Sequence, residues 1–336
     1  MEFGVTQHKL SVLLPFRNAD QVLKRAVDSV LNQDCPCELV LVENQENKSA
    51  LAMQLAENHP QIKLLHEPQI GIVHALNTGL KNCTGEYIAR MDADDEMLPG
   101  RLRKQVEFLD ANPQIVLVSG QVVYRGDWMT ACGFSSYVDQ LNSIQTTDEI
   151  RKYRFIESPI AHPSVMFRNA AIDRKPLYRK GTFPEDYELW LHWLETYPDG
   201  FAKISDEVLV WHDSEQRLSR NHPAYNEEAF MQTRLAYLVR YIKMHHADKA
   251  ILIAGVGKKA RKKIRIMQAA GLRVDAITDL RQRKLDELPF FAWDNLPEPG
   301  RYFLVSLVSN RGSWREIEAH LLARNYRNEI DFILST

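Results

Sequence analysis

Three carboxylates stand close together in the segment from Gly85 to Arg101, which reads GEYIARMDADDEMLPGR. Its first half alternates apolar and polar residues, which predicts a strand that enters a buried sheet. Asp92, Asp94 and Asp95 follow that strand, and their charges would repel one another unless a cation or positive donors gathered them. A hard divalent cation held by one or two carboxylates, with water and phosphate as its other ligands, suits this arrangement.

The acidic segment also allows a simpler interpretation, because a D-x-D pattern is frequent by chance. The carboxylates would then form a solvated turn before the helix that begins near Arg101. The position after a predicted strand favours the metal site, since ligands of open α/β sheets bind beyond the carboxyl ends of the strands.

Length, net charge and cysteine spacing exclude several classes of protein. The chain of 336 residues is long enough for two domains or one large one. Its formal net charge of −2 predicts no nucleic-acid partner. The four cysteines lack the paired spacing of a zinc site, which predicts reduced thiols in a cytoplasmic protein. Neither a signal peptide nor an apolar run of about 18 residues is found, so we expect any membrane contact to be peripheral, at the inner face of the cell membrane.

The elements that must position the carboxylates alternate between strands and helices, which predicts βαβ units and a mostly parallel sheet in an α/β protein. The predicted strands are Leu10–Phe16, Glu38–Val42, Ile62–Leu65, Tyr87–Met91, Ile115–Ser119, Pro163–Phe167 and Val208–Trp211. The predicted helices include one after Asp20, then Leu51–Glu57, Gly71–Leu80, Leu102–Leu109, Asp186–Leu194 and Glu227–His246. Periodicity weakens between Tyr124 and Ile156, where we expect loops that line a substrate cleft.

The pattern restarts at Asp248, which predicts a domain boundary near His246 and two domains, 1–246 and 247–336. In the second domain, GVGKKA follows a predicted strand and opens a helix, as a dinucleotide fingerprint requires. Gly255 and Gly257 would approach a nucleotide, and Asp279 lies where a ribose-binding acid belongs. The domain is short for a full dinucleotide fold, so a structural or docking role is the alternative.

Six sequence blocks, taken in order, resemble family-2 glycosyltransferases of the GT-A fold over the first 230 or so residues. The blocks are SVLLPFRN, LVLVEN, GIVHALNTGL, GEYIARMDADD, AHPSVMF and PEDYELW. The segment from Gly85 to Asp95 is close to the form seen in bacterial cell-surface polysaccharide enzymes. The resemblance implies a GT-A sheet flanked by helices and inversion at the transferred sugar. The C-terminal domain separately resembles the small Rossmann-like domains found beside sugar-modifying enzymes.

The same resemblance implies a metal and donor site. Asp94 would ligate Mg²⁺ or Mn²⁺ on the donor diphosphate, and Asp92 would bind the metal or the ribose. Asp95 is as well explained as a helix cap. His212 would be a further metal ligand, since imidazole is compatible with Mn²⁺, and Arg217 would contact the diphosphate. A solvated polar loop is the alternative for these last two residues.

Other positions of the family pattern imply contacts with the nucleoside. Glu43 would accept the uracil N3–H, although the commoner family form has Asp-Asp where this chain has Glu-Asn, and a surface glutamate is the alternative. Pro15, Phe16 and Asn18 would pack beside the base and ribose. Asn77 would lie near the ribose and diphosphate.

The family pattern also implies residues on the acceptor side of the site, in the blocks PEDY and AHPS. A base must remove the proton of the acceptor hydroxyl, and the resemblance assigns this role to Asp186, with Glu185 as its neighbour. Both carboxylates would also complement the positive N-terminus of the following helix. His162 would line the acceptor side, with a hydrogen-bonded core histidine as the alternative.

The sequence therefore predicts a cytoplasmic, metal-dependent, inverting glycosyltransferase. It would move a sugar from a nucleotide-sugar donor, UDP-linked, to a growing surface glycan or lipid-linked glycan. Two alternatives stay open: an inactive sugar-nucleotide-binding scaffold or sensor, and a nicotinamide-dependent oxidoreductase built on the C-terminal domain.

Overall fold

The computed structural model describes residues 9–126, 132–172, 177–213, 217–308 and 312–336. The chain divides into two compact units. The first consists of Met1–Ile150 and Pro159–Tyr225, and the second of Arg151–Ser158 and Asn226–Thr336. Within the described residues, no helix has both the length and the apolar character needed to cross a bilayer.

The first unit contains eight strands in one sheet. They are β1 (Leu10–Phe16), β2 (Glu38–Glu43), β3 (Ile62–His66), β4 (Tyr87–Arg90), β5 (Glu96–Met97), β6 (Leu117–Arg125), β7 (Met166–Arg168) and β8 (Phe201–His212). The helices up to residue 221 are α1 (Asp20–Leu31), α2 (Ala50–Asn58), α3 (Ile72–Leu80), α4 (Arg101–Ala111), α5 (Cys132–Ser143), α6 (Thr147–Tyr153), α7 (Glu185–Thr196) and α8 (Leu218–Asn221).

One half of this sheet is parallel. Its strands run β3-β2-β1-β4, and every residue of β1 is buried, as the continuous apolar run of that strand requires. The register pairs Phe16 with Glu43 and Leu13 with Arg90. The carboxyl ends of β1, β2 and β4 therefore meet at one edge of the sheet, where polar residues follow each strand.

The other half of the sheet is mixed. β7 pairs antiparallel with both β4 and β6, while β6 and β8 are parallel with register shifts around Gln121. The short strand β5, which directly follows the aspartates, pairs Glu96 with Val210 of β8. This pairing brings the end of β8 beside the acidic segment.

The region of weak periodicity differs from our expectation of loops. It contains the end of β6, then α5 and α6. Val138 and Leu141 of α5 are buried in the main core. The apolar residues of this region are too few per turn for a clear local signal, and tertiary packing selects the helix.

The second unit holds a five-stranded parallel sheet in the order β11-β10-β9-β12-β13, the central order of a doubly wound sheet. Its strands are β9 (Ala250–Ala254), β10 (Ala276–Asp279), β11 (Phe290–Ala292), β12 (Tyr302–Ser306) and β13 (Phe332–Leu334). Its helices are α9 (Glu227–His245), α10 (Lys258–Ala269) and α11 (Ser313–Leu322).

The unit boundary differs from the predicted position near His246. α9 belongs with the second unit, and so does the distant segment Arg151–Ser158. Ile156 of that segment is buried in a core cluster with Leu252 and Leu304. The boundary follows these long-range contacts, which a restart of local periodicity does not report.

Candidate active site

The three aspartates after β4 form one cluster. Carboxylate oxygens of Asp92, Asp94 and Asp95 all lie within 4.8 Å of one another, the group of possible metal ligands found among the described residues. Asp92 and Asp94 are half-buried, whereas the Asp95 side chain is fully buried. The backbone N–H of His212 donates to Asp95 Oδ1 at 3.0 Å, so Asp95 also joins the acidic turn to the end of β8.

Arg217 faces all three carboxylates. Its guanidinium nitrogens lie 3.9 Å from Asp92, 3.8 Å from Asp94 and 3.4 Å from Asp95. Nη1 also donates to the carbonyl of His212 at 2.6 Å, and the guanidinium carbon lies 4.8 Å from the centroid of the Trp211 ring. Arg217 is thus a cation of the protein that contacts all three members of the cluster.

The cluster fits a divalent cation. Burial, opposed by Arg217, raises the pKa of Asp94, and burial also raises the pKa of Asp95 well above its usual value, with neighbouring aspartates adding to both shifts. Asp95 Oδ2 is buried without a hydrogen-bond partner among the described residues. Clustered carboxylates with an unsatisfied buried oxygen are a donor set that Mg²⁺ or Mn²⁺ would stabilise.

His212 does not join this cluster through its side chain. Its Nε2 lies 3.5 Å from Glu96 Oε2, and the contact with Asp95 is made by the backbone. Burial lowers the pKa of the His212 imidazole. The structure therefore does not bring the His212 imidazole together with the aspartates as the predicted metal ligand.

Glu185 and Asp186 begin α7 and form the second carboxylate centre. Glu185 is 4 % exposed and accepts a hydrogen bond from Tyr225. Burial, with a further contribution from Asp186, raises the pKa of Glu185 to about 8. Burial, with a smaller contribution from Asp92, raises the pKa of Asp186 to about 6. Burial therefore makes both carboxyl groups of this pair harder to ionise than in water.

Arg90 connects the two carboxylate centres electrostatically. It is a buried residue at the end of β4 and forms an ion pair with Asp92. Burial lowers the pKa of Arg90, but Asp92, Tyr178 and Glu185 together more than offset that effect and raise it. Sequence reasoning missed this residue, although an arginine inside a buried strand directly before the aspartates is an observable signal.

Arg101, which follows the Pro-Gly turn, is a second missed residue. It is fully buried and donates to the carbonyls of Pro163, Arg90 and Val165 at 2.8, 3.0 and 3.2 Å. These bonds hold the end of β4 against the segment before β7. From local pattern alone, Arg101 is predicted only to lie near the start of a helix.

The ends of β1 and β2 border an open cleft of about 420 Å³, whose lining residues include Arg17, Asn18, Asp20, Gln45 and Lys48. The backbone N–H of Asn18, which has a φ of 50°, donates to Gln45 Oε1 at 2.6 Å. Asn18 thus lines the cleft, and its contact with a donor stays a prediction.

Three other residues predicted to contact the nucleoside are buried and are not exposed at this cleft. Pro15 and Phe16 are buried within β1, and Phe16 belongs to the main core. Glu43 is also buried. Its carboxylate accepts from Ser49 N at 2.5 Å and Gln45 Nε2 at 3.2 Å, and lies 3.2 Å from His66 Nδ1. Glu43 therefore holds the loop after β2.

Asn77 and His162 lie in one buried network around Tyr178. The Asn77 side chain bonds the backbone N–H and carbonyl of Tyr178 at 3.1 and 2.8 Å. His162 Nε2 lies 2.7 Å from the Tyr178 hydroxyl, and burial lowers the pKa of His162 well below its usual value. Both residues thus make hydrogen bonds within the protein. For His162, this is the alternative of a hydrogen-bonded core histidine.

The C-terminal fingerprint residues are also accounted for by internal contacts. Gly255 has a φ of 89°, and Asp279 Oδ2 accepts the backbone N–H of Val256 at 2.9 Å. Arg283 lies 3.3 Å from the same Asp279 oxygen. Gly257 has open space at the position of a Cβ atom. Asp279 therefore orders the glycine loop, the role a structural domain requires of it.

Comparison with solved structures identifies the fold of this chain. The crystal structure of S. aureus TarS 1-349 in complex with UDP-GlcNAc matches with a TM-score of 0.53 and 17 % identity, over 77 % of this chain and 70 % of that one. The shared architecture is the GT-A glycosyltransferase fold.

Sequence relatives define the family. The model "Glycosyl transferase family 2" matches residues 11–175. The amylovoran biosynthesis glycosyltransferase AmsE of Erwinia amylovora is 30 % identical over 241 residues, covering 66 % of this chain and 86 % of the relative. The O-antigen biosynthesis glycosyltransferase WbnJ of Escherichia coli is 27 % identical over 234 residues, covering 67 % and 87 %. The chain belongs to glycosyltransferase family 2 and is a glycosyltransferase.

Proposed function

We propose that this glycosyltransferase is metal-dependent and inverting, and that it moves a sugar from a UDP-linked donor to a growing surface glycan or lipid-linked glycan. The observation that carries the proposal is the pair of carboxylate centres. One centre gathers Asp92, Asp94 and Asp95 within 4.8 Å, and the other joins Glu185 to Asp186 at the start of a helix. The polysaccharide-directed names of AmsE and WbnJ support the class of acceptor.

Asp92 and Asp94 would hold Mg²⁺ or Mn²⁺ because they are the half-buried members of the cluster. When bound, the cation would neutralise the charge that develops on the leaving diphosphate. Arg217, whose guanidinium already faces the cluster, would share that task as a donor to phosphate oxygens. Arg90 holds Asp92 in place through their ion pair.

Asp186 would act as the base. In a single displacement, the acceptor oxygen forms a bond to the anomeric carbon as the bond from that carbon to the diphosphate breaks, which inverts the configuration. The acceptor hydroxyl proton passes to Asp186, which suits the task because its pKa of about 6 leaves it ionised at neutral pH. Glu185, with a pKa raised to about 8, would remain largely protonated.

The donor nucleoside would occupy the cleft at the ends of β1 and β2. Arg17 and Lys48 line this cleft beside Asp20 and Glu46, so the lining as a whole has no excess of positive charge. Arg17 and Lys48 would therefore act by direct hydrogen bonds to the donor phosphates. Because the Glu43 carboxylate already serves three internal contacts, the backbone and amides of the cleft would carry much of the base recognition.

A nucleotide-sugar panel tests this function. Melting temperature and release of nucleotide are measured with UDP-, GDP- and dTDP-sugars, each with Mn²⁺ and with excess EDTA. We expect a UDP-sugar to raise the melting temperature most, because selective binding stabilises the folded state by mass action, and EDTA to abolish nucleotide release. Full release in EDTA would refute metal dependence, and selective stabilisation by a GDP- or dTDP-sugar would refute the UDP assignment.

A further inference from the structure

The two units of the chain differ strongly in charge. The second unit has 22 Lys and Arg against 14 Asp and Glu, a formal net charge of +8. The first unit has 20 against 30, a net charge of −10. The near-neutral net charge of the whole chain hides this asymmetry.

Much of the positive charge lies on α10. Ala260, Ile264 and Met267 are buried and form its apolar stripe. Lys258, Lys262 and Arg265 are exposed, and their spacing of four and three residues places them along one side of the helix. The helix thus packs by one stripe and presents a cationic stripe to solvent.

The loop after β10 continues this positive surface. Arg281, Arg283 and Lys284 are all exposed. The guanidinium of Arg261 donates to the carbonyl of Lys284 at 2.6 Å, which joins the loop to α10. β9 and β10 are parallel, so the start of α10 and this loop both follow the carboxyl ends of their strands.

An aliphatic side chain stands among these cations. Leu280 is 83 % exposed, the most exposed of the large hydrophobic residues in the described part of the chain. With this exposure, it has little packing contact with the described residues. An exposed leucine flanked by Arg281 and Arg283 is the arrangement expected of a residue that enters an apolar phase below a negatively charged surface.

We infer that this basic edge, formed by Lys258, Lys262 and Arg265 of α10 with Leu280, Arg281 and Lys284 of the loop, docks on the surface of an anionic lipid bilayer. Exposed lysines and arginines near anionic lipids attract the surface, and Leu280 adds an apolar anchor. Nucleic acid is the less favoured partner, because the edge offers a leucine and no aromatic ring for bases to stack on.

Nearby carboxylates pair with part of this surface. Asp279 lies 3.3 Å from Arg283, and Asp286 and Glu287 follow the loop in sequence. Glu227 and Glu228 at the start of α9 pair with Lys259 and Lys262. All four side chains are largely exposed, and such surface pairs contribute little to stability. Lys259 and Lys262 can therefore exchange these carboxylate partners for lipid phosphates at a small cost in free energy. Lys258 and Arg265 are not part of either pair.

The test is co-sedimentation of the full chain with vesicles of phosphatidylcholine, with and without 30 % phosphatidylglycerol. The variant Lys258→Gln/Lys262→Gln/Arg265→Gln keeps good helix formers in α10. We expect the wild type to bind the anionic vesicles only, and to be released in about 0.5 M NaCl as screening shortens the reach of its charges. Each basic residue contributes about fivefold in binding, so the triple variant should bind on the order of a hundredfold more weakly.

A matched control removes the same charge elsewhere in the second unit. Arg273 and Arg301 precede β10 and β12, at the opposite edge of the sheet, and Arg315 lies on α11. The variant Arg273→Gln/Arg301→Gln/Arg315→Gln should bind as the wild type does. Equal loss in both triple variants would show that net charge alone is responsible, and would overturn the assignment of this edge.

Two further measurements decide the remaining outcomes. If the α10 variant has a lowered melting temperature, Arg281→Gln/Lys284→Gln tests the same surface on the loop. Leu280→Ser should weaken vesicle binding several-fold without a change of charge. A wild type that ignores anionic vesicles, or that binds duplex DNA more tightly than vesicles at the same salt, would refute membrane docking. None of these outcomes depends on sugar transfer, so the proposed function stands or falls separately.

Discussion

At the scale of single residues, the aspartates after β4 have separable roles. Asp94 is 33 % exposed and its side chain faces Arg217 at 3.8 Å. Asp95 is buried and ties the acidic turn to β8 through His212 N–H. Asp94 is thus the carboxylate available to a ligand. Its sequence neighbour Asp95 is the carboxylate that stabilises the fold.

Asp94→Asn and Asp95→Asn test this division. Asp94→Asn should nearly abolish transfer and weaken Mn²⁺ binding, with a melting temperature close to that of the wild type, because a half-exposed carboxylate is replaced. Asp95→Asn should lower the melting temperature, since it takes a buried oxygen partner from Arg217, at about 1–3 kcal/mol for a buried polar group that loses its partner. Full activity of Asp94→Asn would remove the metal assignment.

Arg217 is expected to compete with a cation for the cluster. Arg217→Gln removes a positive charge that lies 3.4–3.9 Å from the three carboxylates. Affinity for Mn²⁺ alone should therefore rise by about tenfold, which titration calorimetry without donor would measure. Weaker Mn²⁺ binding in this variant would mean that Arg217 organises the aspartates for the metal.

Asp186 and Glu185 can be separated by pH. A base acts in its ionised form, so with Asp186 as base the transfer rate should rise with pH through about 6 and then level off. Asp186→Asn should reduce turnover by about 10²–10⁴-fold with donor affinity nearly unchanged. Its stability should change little, because an asparagine oxygen still accepts the Tyr187 N–H that Asp186 accepts at 2.7 Å.

Glu185→Gln is the matched variant, since Tyr225 can still donate to the amide oxygen. It should keep most of the turnover and the inflection near pH 6. An inactive Glu185→Gln enzyme, or a wild-type rate that rises through about pH 8 instead, would assign the base to Glu185.

At the scale of elements, the site depends on how closely β1 and the segment before β4 approach each other. Gly85 lies against the backbone of β1, and an added Cβ would stand 2.5 Å from Ser11 N and 2.7 Å from Leu10 C. The hydroxyl of Ser11 accepts the Gly85 N–H at 2.8 Å. These contacts set where β4 begins and so where its aspartates emerge.

Gly85→Ala should therefore destabilise the first unit by about 1–3 kcal/mol, the range for overpacking. Gly133→Ala in α5 is the control, because nothing lies within 4 Å of its added Cβ and alanine favours a helix. Thermal unfolding of both variants provides the comparison. If both substitutions leave the melting temperature unchanged, close backbone approach at Gly85 is not a constraint on the fold.

At the scale of the whole molecule, the chain crosses between its two units more than once. Ile150 is the last residue of the first segment of unit one, and Ile156 belongs to the core of unit two. Both side chains are buried. Tyr153 and Arg154 between them contact Trp314 and Glu329, which fastens this short segment to the second unit.

Ile156→Ala and Ile150→Ala should act on different units although they are six positions apart in sequence. Each removes a buried side chain at a cost of about 2–5 kcal/mol. Hydrogen exchange should quicken in β9 and β12 for Ile156→Ala, and in strands of the first unit for Ile150→Ala. Faster exchange in the same unit for both variants would contradict the division of the chain.

Local pattern determined the strands of the parallel half-sheet, most helices, the acidic segment and the family, because hydrophobic period and short motifs are properties of neighbouring residues. Asp92 and Asp94 lie together at a sheet edge, since both follow the carboxyl end of β4. Tertiary structure alone decided that Asn77 binds the Tyr178 backbone, that Glu43 is enclosed, and that α9 joins the second unit. Burial and pairing depend on residues about a hundred or more positions away, as Asn77 and Tyr178 are, and a pattern read along the chain does not contain such contacts.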